Sequence, residues 1–288
     1  MGIFELLFLI VFWSWALTAA LFLRNTWLPR LPLLDTPAQH GLPSETVRFH
    51  ATDGLPLEGW KIAEDPSRPW ILLCHGVGSN RSDLLEIVEG LYQSGYNLFL
   101  FDFRGHGGSS GRVTSFGWRE QRDLEGALAF LGHQPDIPAK PYGVYGISLG
   151  GAVAMMVAAR DERIGAVAAD SPYISLDDTL KRHLLLMYRL PAIPFLWFIR
   201  LIYRLRFGVW PTKISPLISI AKLSPRSVLL IQGDQDVRTP LEDARKLLDL
   251  AGEPKELWVV EGAEHLAAFG INPAAYLQRL SAFFKANL

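Results

Sequence analysis

With 288 residues and 49% hydrophobic content, the chain carries enough apolar side chain for one sizeable core and not two, since single α/β domains commonly reach about 250 residues. Its 28 basic and 29 acidic residues leave a net charge of −1, so there is no basic field for a nucleic-acid backbone and no nucleic-acid partner is expected. A single cysteine, Cys74, excludes an internal disulfide framework.

Residues 3–23 contain only Glu5, Ser14 and Thr18 as non-apolar side chains. As a helix this run is about 30 Å long, one hydrocarbon core, so residues 1–24 read as a transmembrane anchor. A cleaved signal peptide, with secretion of the rest, is the alternative. That device needs a cationic leader, and Glu5 is the charge found there, although residues 16–20 do offer small side chains. Arg24 and Arg30 follow the run and no Lys or Arg precedes it, which points to a single-pass protein with its catalytic domain on the cytoplasmic side. Gly2 does not make a myristoylation site, because Leu6 stands where that pattern requires Ser or Thr.

Residues 25–44 are proline-punctuated and aperiodic and read as a linker leaving the membrane. A strand pair is expected at 46–51 and 57–62, turning at Asp53-Gly54. Short apolar strands follow at 70–74, 97–103, 142–147, 164–169, 227–232 and 256–260, with helical stretches such as 81–94 and 119–131 between them. This alternation predicts an α/β fold with a mostly parallel central sheet and helices on both faces, occupying residues 45–288. The rhythm breaks over residues 172–225, an apolar segment too interrupted by Arg189, Pro191 and Pro194 for a second membrane span. A connection of that length is expected to form a cap over the carboxyl edge of the sheet.

The chemistry is concentrated in Gly146-Ile147-Ser148-Leu149-Gly150, placed between an apolar strand and a small-residue helix. A serine on such a corner is lifted clear of the sheet, and only glycines let the flanking backbone pack that tightly. A serine hydroxyl needs a base, and the base needs a third group to hold its tautomer. Asp234, Asp236 and Asp170 all follow strands, and His265 follows the last one, so all reach the same edge as Ser148.

From about Glu45 onward the chain resembles the α/β-hydrolases, the broad group of serine esterases, lipases, thioesterases and related peptidases. The resemblance rests on the Ser148 pentapeptide, on His75-Gly76-Val77-Gly78, on Asp102-Phe103-Arg104-Gly105-His106-Gly107, on Gly233-Asp234-Gln235-Asp236, and on His265 near the C-terminus. It implies a nucleophile at Ser148, a base at His265, and an acid at Asp236, three residues past Gly233. It also implies an oxyanion site made by the backbone N–H groups of Val77 and Leu149, so alanine at Val77 is expected to be mild. His75, His106, Asp102 and Arg104 read as loop braces, with Asp102 and Arg104 as an ion pair or bracket, and Cys74 reads as a core residue.

No cofactor is called for, and the histidines lack metal-ligand spacing such as His-Glu-x-x-His. In the cap, Arg200, Arg204 and Arg206 beside Trp197, Phe198, Tyr203 and Phe207 suit an interfacial helix, a pocket wall, or a helix packed on the core. The functional expectation is a membrane-anchored serine hydrolase that cleaves carboxylic esters or thioesters, including lipid-like acyl substrates. A peptidase of the same fold, which ordinarily carries a further N-terminal domain, and a catalytically silent membrane adaptor are the alternatives.

Overall fold

The computed structural model describes residues 2–137 and 141–288. Eight strands, β1 (Ser44–His50), β2 (Pro56–Ile62), β3 (Trp70–Cys74), β4 (Asn97–Phe101), β5 (Tyr142–Ile147), β6 (Ile164–Asp170), β7 (Ser227–Gly233) and β8 (Lys255–Val260), form one sheet in the order 1-2-4-3-5-6-7-8. The hairpin β1–β2 and its junction with β4 are antiparallel, and the pairings from β4 through β3, β5, β6 and β7 to β8 are parallel.

Alternate residues of each central strand feed two separate cores, as the two-residue period of a strand requires. Leu72, Phe99, Val144, Val167 and Leu230 point to one face. Their neighbours Leu73, Leu100, Tyr145, Ala168 and Ile231 point to the other. Helices α3 (Glu120–Gly132), α4 (Leu149–Ala158) and α8 (Leu241–Leu250) cover the first face. Helices α2 (Leu85–Gln93) and α10 (Pro273–Asn287) cover the second. Apolar strands with no polar side are what a sheet covered on both faces needs.

Two elements differ from the sequence expectation, each for a local reason. The strand expected at 97–103 ends at Phe101, because the Phe103 N–H is given to His75 Nε2 (2.9 Å) and the Asp102 carboxylate collects the N–H groups of Arg81 and Gly108 (both 2.8 Å). The helix expected from residue 81 begins as a 3-10 turn, Arg81–Leu84, whose start is capped by the Asn80 side chain accepting from the Ser82 N–H at 2.9 Å.

The connection between β6 and β7 carries α5 (Leu176–Tyr188), α6 (Ala192–Phe207) and α7 (Pro216–Ser219). Against α6 lies α1 (Ile3–Thr26), a 24-residue helix long and apolar enough to cross a membrane. Its outer half is exposed, whereas Thr18, Phe22 and Thr26, spaced at helical period, are buried. Phe22 meets Tyr203 and Phe207 edge-on, at 6.0 and 6.4 Å between ring centres. The segment expected to be a linker does not hang free. Arg30 donates to the carbonyls of Gly107 and Gly111 (3.0 and 2.7 Å), Asn80 donates to the Pro32 carbonyl (3.1 Å), and His40 sits between Asp35 and Glu89 (2.6 and 2.9 Å). A short helix, α9 (Ala268–Ile271), lies between β8 and α10.

Replacing Phe22 with alanine removes a fully packed ring, and we expect the full-length protein to lose about 3 kcal/mol of stability. Denaturant unfolding in detergent measures this; a loss below about 0.5 kcal/mol would mean that α1 does not pack on α6 in solution.

Candidate active site

Ser148 stands at the first turn of α4 with φ 48° and ψ −111°, a conformation that costs a non-glycine residue about 1–3 kcal/mol. The surrounding backbone imposes it. A Cβ at Gly146 would lie 2.3 Å from the Gly150 backbone, and one at Gly150 would lie 2.1 Å from the Cys74 carbonyl oxygen, so the corner closes only with glycine at both places. The Ser148 N–H is tied to the Asp170 carbonyl at 2.8 Å, leaving the hydroxyl at the carboxyl edge of the sheet.

His265, 117 positions further along the chain, and Asp236, 29 positions before His265, come to meet it. His265, in the loop after β8, places Nε2 3.3 Å from Ser148 Oγ and Nδ1 2.7 Å from Asp236 Oδ2. Asp236 is buried after β7, where its other oxygen accepts the N–H groups of Arg238 and Thr239 at 2.8 and 2.9 Å. The Thr239 hydroxyl and the Gln232 amide donate to Oδ2 at 2.7 and 3.2 Å. Burial pushes this carboxyl up, but His265, the Thr239 N–H and the Thr239 hydroxyl outweigh it and hold it at about 2. A carboxylate fixed as an anion beside Nδ1 keeps the proton on that nitrogen, which leaves Nε2 free to accept from Ser148.

The structure also separates the competing aspartates. Asp170 turns its carboxylate to the hydroxyls of Tyr276 and Ser171 (2.7 and 2.8 Å), and burial raises its pKa. Asp234 accepts from the Gly262 N–H at 2.8 Å. Neither touches the His265 ring.

Val77 and Leu149 border the same cavity as Ser148 and His265. Leu149 opens α4, where first-turn N–H groups have no partner within the helix, and the Val77 N–H takes no partner among the described residues. The next N–H in that loop, that of Gly78, is used differently: it donates to His106 Nε2 at 3.1 Å, while His106 Nδ1 donates to the Arg104 carbonyl at 2.9 Å. His75 repeats the pattern, with Nδ1 donating to the Gly76 carbonyl (2.7 Å) and Nε2 accepting from Phe103. Burial drives His75 well below its ordinary pKa and lowers His106 too, so both rings are neutral struts with no nitrogen to spare for proton transfer. Burial pushes the Cys74 thiol up, which makes it an inert core group.

Asp102 and Arg104 do not pair with one another. Asp102 binds Arg81 (2.6 Å), whose guanidinium also reaches Glu58 (2.7 Å) and lies over the Trp60 ring. Arg104 binds Asp123 (2.6 Å) and Asp53 (2.9 Å). Together these buried pairs bracket residues 102–111, the loop that backs the His75–Gly78 turn. Arg81 and Asp123 carry no signal in the sequence, since each looks like an ordinary charge on a helical stretch.

The cavity measures about 270 Å³ and is lined mainly by apolar side chains from α5, from residues 116–173 and from α1, with Thr18, Leu21, Phe22 and Asn25 among them. In the cap, Phe198, Tyr203 and Phe207 are buried and Arg200 is paired with Asp177 at 2.6 Å, so this part of α6 packs on the core, and Trp197 alone of the four aromatics is exposed.

Comparison with known proteins places this architecture. A family model described as the alpha/beta hydrolase fold matches residues 69–203. The uncharacterized protein YfhR of Escherichia coli (strain K12) is 30% identical over 233 residues, 78% of this chain and 75% of that protein. YqkD of Bacillus subtilis is 29% identical over 232 residues, 80% of this chain and 75% of that one. Among solved structures, the Pyrococcus furiosus esterase Pf2001 superimposes with a TM-score of 0.76 at 27% identity, covering 90% of this chain and 99% of that one. A parallel sheet with a strand–serine–helix corner and a histidine from beyond the last strand is the architecture of a hydrolase. The chain belongs to the α/β-hydrolase family.

The depressed pKa of Asp236 has a stability consequence of definite sign. Its contribution is fully present above the unfolded value near 3.9 and is lost as pH falls through about 2. The stability difference between wild type and Asp236→Asn, about 2 kcal/mol near neutrality, is expected to shrink as pH falls from ~5 toward ~2. Urea unfolding across that range tests it.

Proposed function

We propose that this protein is a membrane-anchored serine hydrolase that cleaves carboxylic esters or thioesters of hydrophobic acyl chains. The observation that carries the reading is the unbroken hydrogen-bonded line from Ser148 Oγ through His265 to Asp236, opening on an apolar cavity. Ser148 Oγ attacks the carbonyl carbon while His265 Nε2 takes its proton, and the two electrons of the carbonyl bond move to oxygen. The N–H groups of Val77 and Leu149 hold that oxyanion. The tetrahedral species collapses, the proton on Nε2 passes to the departing alcohol or thiol, and the acyl group stays on Ser148. Water then repeats the sequence with the same base and releases the carboxylic acid. Asp236 remains an anion throughout and steadies the imidazolium that forms twice per turnover.

Ester chemistry draws support from the Pyrococcus furiosus neighbour, which is an esterase. Retention of α1 as an anchor, against cleavage as a signal, draws support from its packing: removing it would uncover Tyr203 and Phe207 and open one wall of the cavity. Arg24 and Arg30 favour a cytoplasmic catalytic domain.

A fluorophosphonate probe is expected to label the wild type and leave Ser148→Ala unlabelled; equal labelling of both rejects Ser148 as the nucleophile, and labelling of neither rejects the serine mechanism and favours a silent adaptor. With a reactive ester, Asp236→Asn is expected to lower kcat by about a thousandfold or more. Val77→Pro, which deletes the N–H, is expected to cost about a hundred- to thousandfold, against a few-fold change for Val77→Ala.

A further inference from the structure

The inner half of α1 does two things at once. One stripe, Thr18, Leu21, Phe22 and Asn25, faces inward, and these four side chains border the same cavity as Ser148 and His265. The same stretch is clasped by the cap, through Phe22 on α6 and through Asn25, whose amide donates to the Tyr188 hydroxyl of α5 at 2.7 Å. The outer half stands free, with Phe4, Phe8 and Trp13 at 84, 68 and 65% exposure.

Depth follows from helix geometry. At 1.5 Å per residue, Thr18 and Leu21 lie about 22 and 27 Å along the axis from Ile3, still within a hydrocarbon core about 30 Å thick. The outer half alone, residues 3–13, covers only about 15 Å. A helix that spans the core therefore draws the cavity wall down to the inner boundary of the hydrocarbon. The cap carries apolar side chains suited to that boundary around the same place: Leu185 and Met187 near the end of α5 and Ile193 and Trp197 at the start of α6 are 60–86% exposed. Met187 itself borders the cavity.

We propose that α1 is a wall of the substrate site as well as an anchor, and that the ligand it helps to hold is a single acyl chain drawn sideways from the bilayer along the seam between α1 and α5. The chain lies against Leu21, Leu180 and Leu184 with its carbonyl at Ser148, and it reaches the site without crossing water. A volume of about 270 Å³ lies just below the usual range of ligand cavities, about 300 to 1,000 Å³, and so suits one alkyl chain rather than a bulky lipid. This inference rests on the hydrolase reading of Ser148 and on α1 spanning a bilayer.

Leu21 is half-buried and borders the cavity, so it is the position to vary. Full-length protein in phosphatidylcholine vesicles is photolysed with palmitate carrying a diazirine on its terminal carbon, and adducts are mapped by peptide mass spectrometry. The expected result is adducts on Leu180, Leu184 or Ile199, reduced at least fivefold in Leu21→Trp while adducts on residues 3–13 persist. Adducts confined to residues 3–13, or pocket adducts unaffected by Leu21→Trp, overturn the proposal. This readout needs no turnover, so a failure of serine labelling would strike the hydrolase reading alone. If esters are hydrolysed, the ratio of kcat/KM for a dodecanoyl over an acetyl ester should fall at least tenfold in Leu21→Trp; an unchanged ratio counts against the wall. Should Leu21→Trp not fold, Leu21→Ala replaces it, with a ratio shifted at least threefold toward longer chains expected and no shift overturning the proposal.

Discussion

Where β5 gives way to α4, Gly150 sits so close to the Cys74 carbonyl that a Cβ there would come within 2.1 Å of its oxygen. That approach of one backbone to another forces the intervening Ser148 into a positive φ and puts its hydroxyl above the sheet rather than in it. Everything else at the site is arranged around that fixed point. Histidine and aspartate are delivered by loops after β8 and β7, and the parallel pairing of those strands brings both loops to the edge where Ser148 emerges.

The buried polar groups around this corner divide by whether they retain a free valence. His75 and His106 spend both ring nitrogens on backbone, and burial keeps them uncharged. Arg81 and Arg104 spend their charge on Asp102, Glu58, Asp123 and Asp53. Paired in this way, these groups stiffen the loop that carries Val77 and do not react. His265 differs in that one nitrogen is committed to an anion and the other faces the Ser148 hydroxyl at 3.3 Å. The physical distinction between these struts and the base is the partner on the second nitrogen.

The N-terminal helix is long and apolar enough to cross a membrane, and its inner half also packs on the cap. A bilayer accepts any order of apolar residues, but a helix that packs on a folded domain needs a stripe. Here that stripe begins only around Ser14 and runs through Thr18, Phe22 and Thr26, so the character of the helix changes halfway along. The cap responds by turning Tyr203 and Phe207 inward to receive Phe22, and by leaving Trp197 and Ile193 outside.

Much of this was legible in the residues themselves. The strands, the glycine-flanked serine and the apolar first helix are local patterns, set by backbone sterics and by the period of the hydrophobic residues, and each could be read without knowing its neighbours. What tertiary structure decided is which side chains share a partner. Asp236, Asp170 and Asp234 all follow strands, and although the resemblance singled out Asp236, it is the packing that gives one an imidazole, one two hydroxyls and one a backbone N–H. The same holds for Arg81 with Asp102, for Asn25 with Tyr188, and for the docking of Arg30, Pro32 and His40 within residues 25–44, which read as a linker. Arg81 and Asp102 are 21 positions apart and Asn25 and Tyr188 are 163 apart, so no local period records these contacts, and burial selects them by the cost of leaving a polar group unpaired.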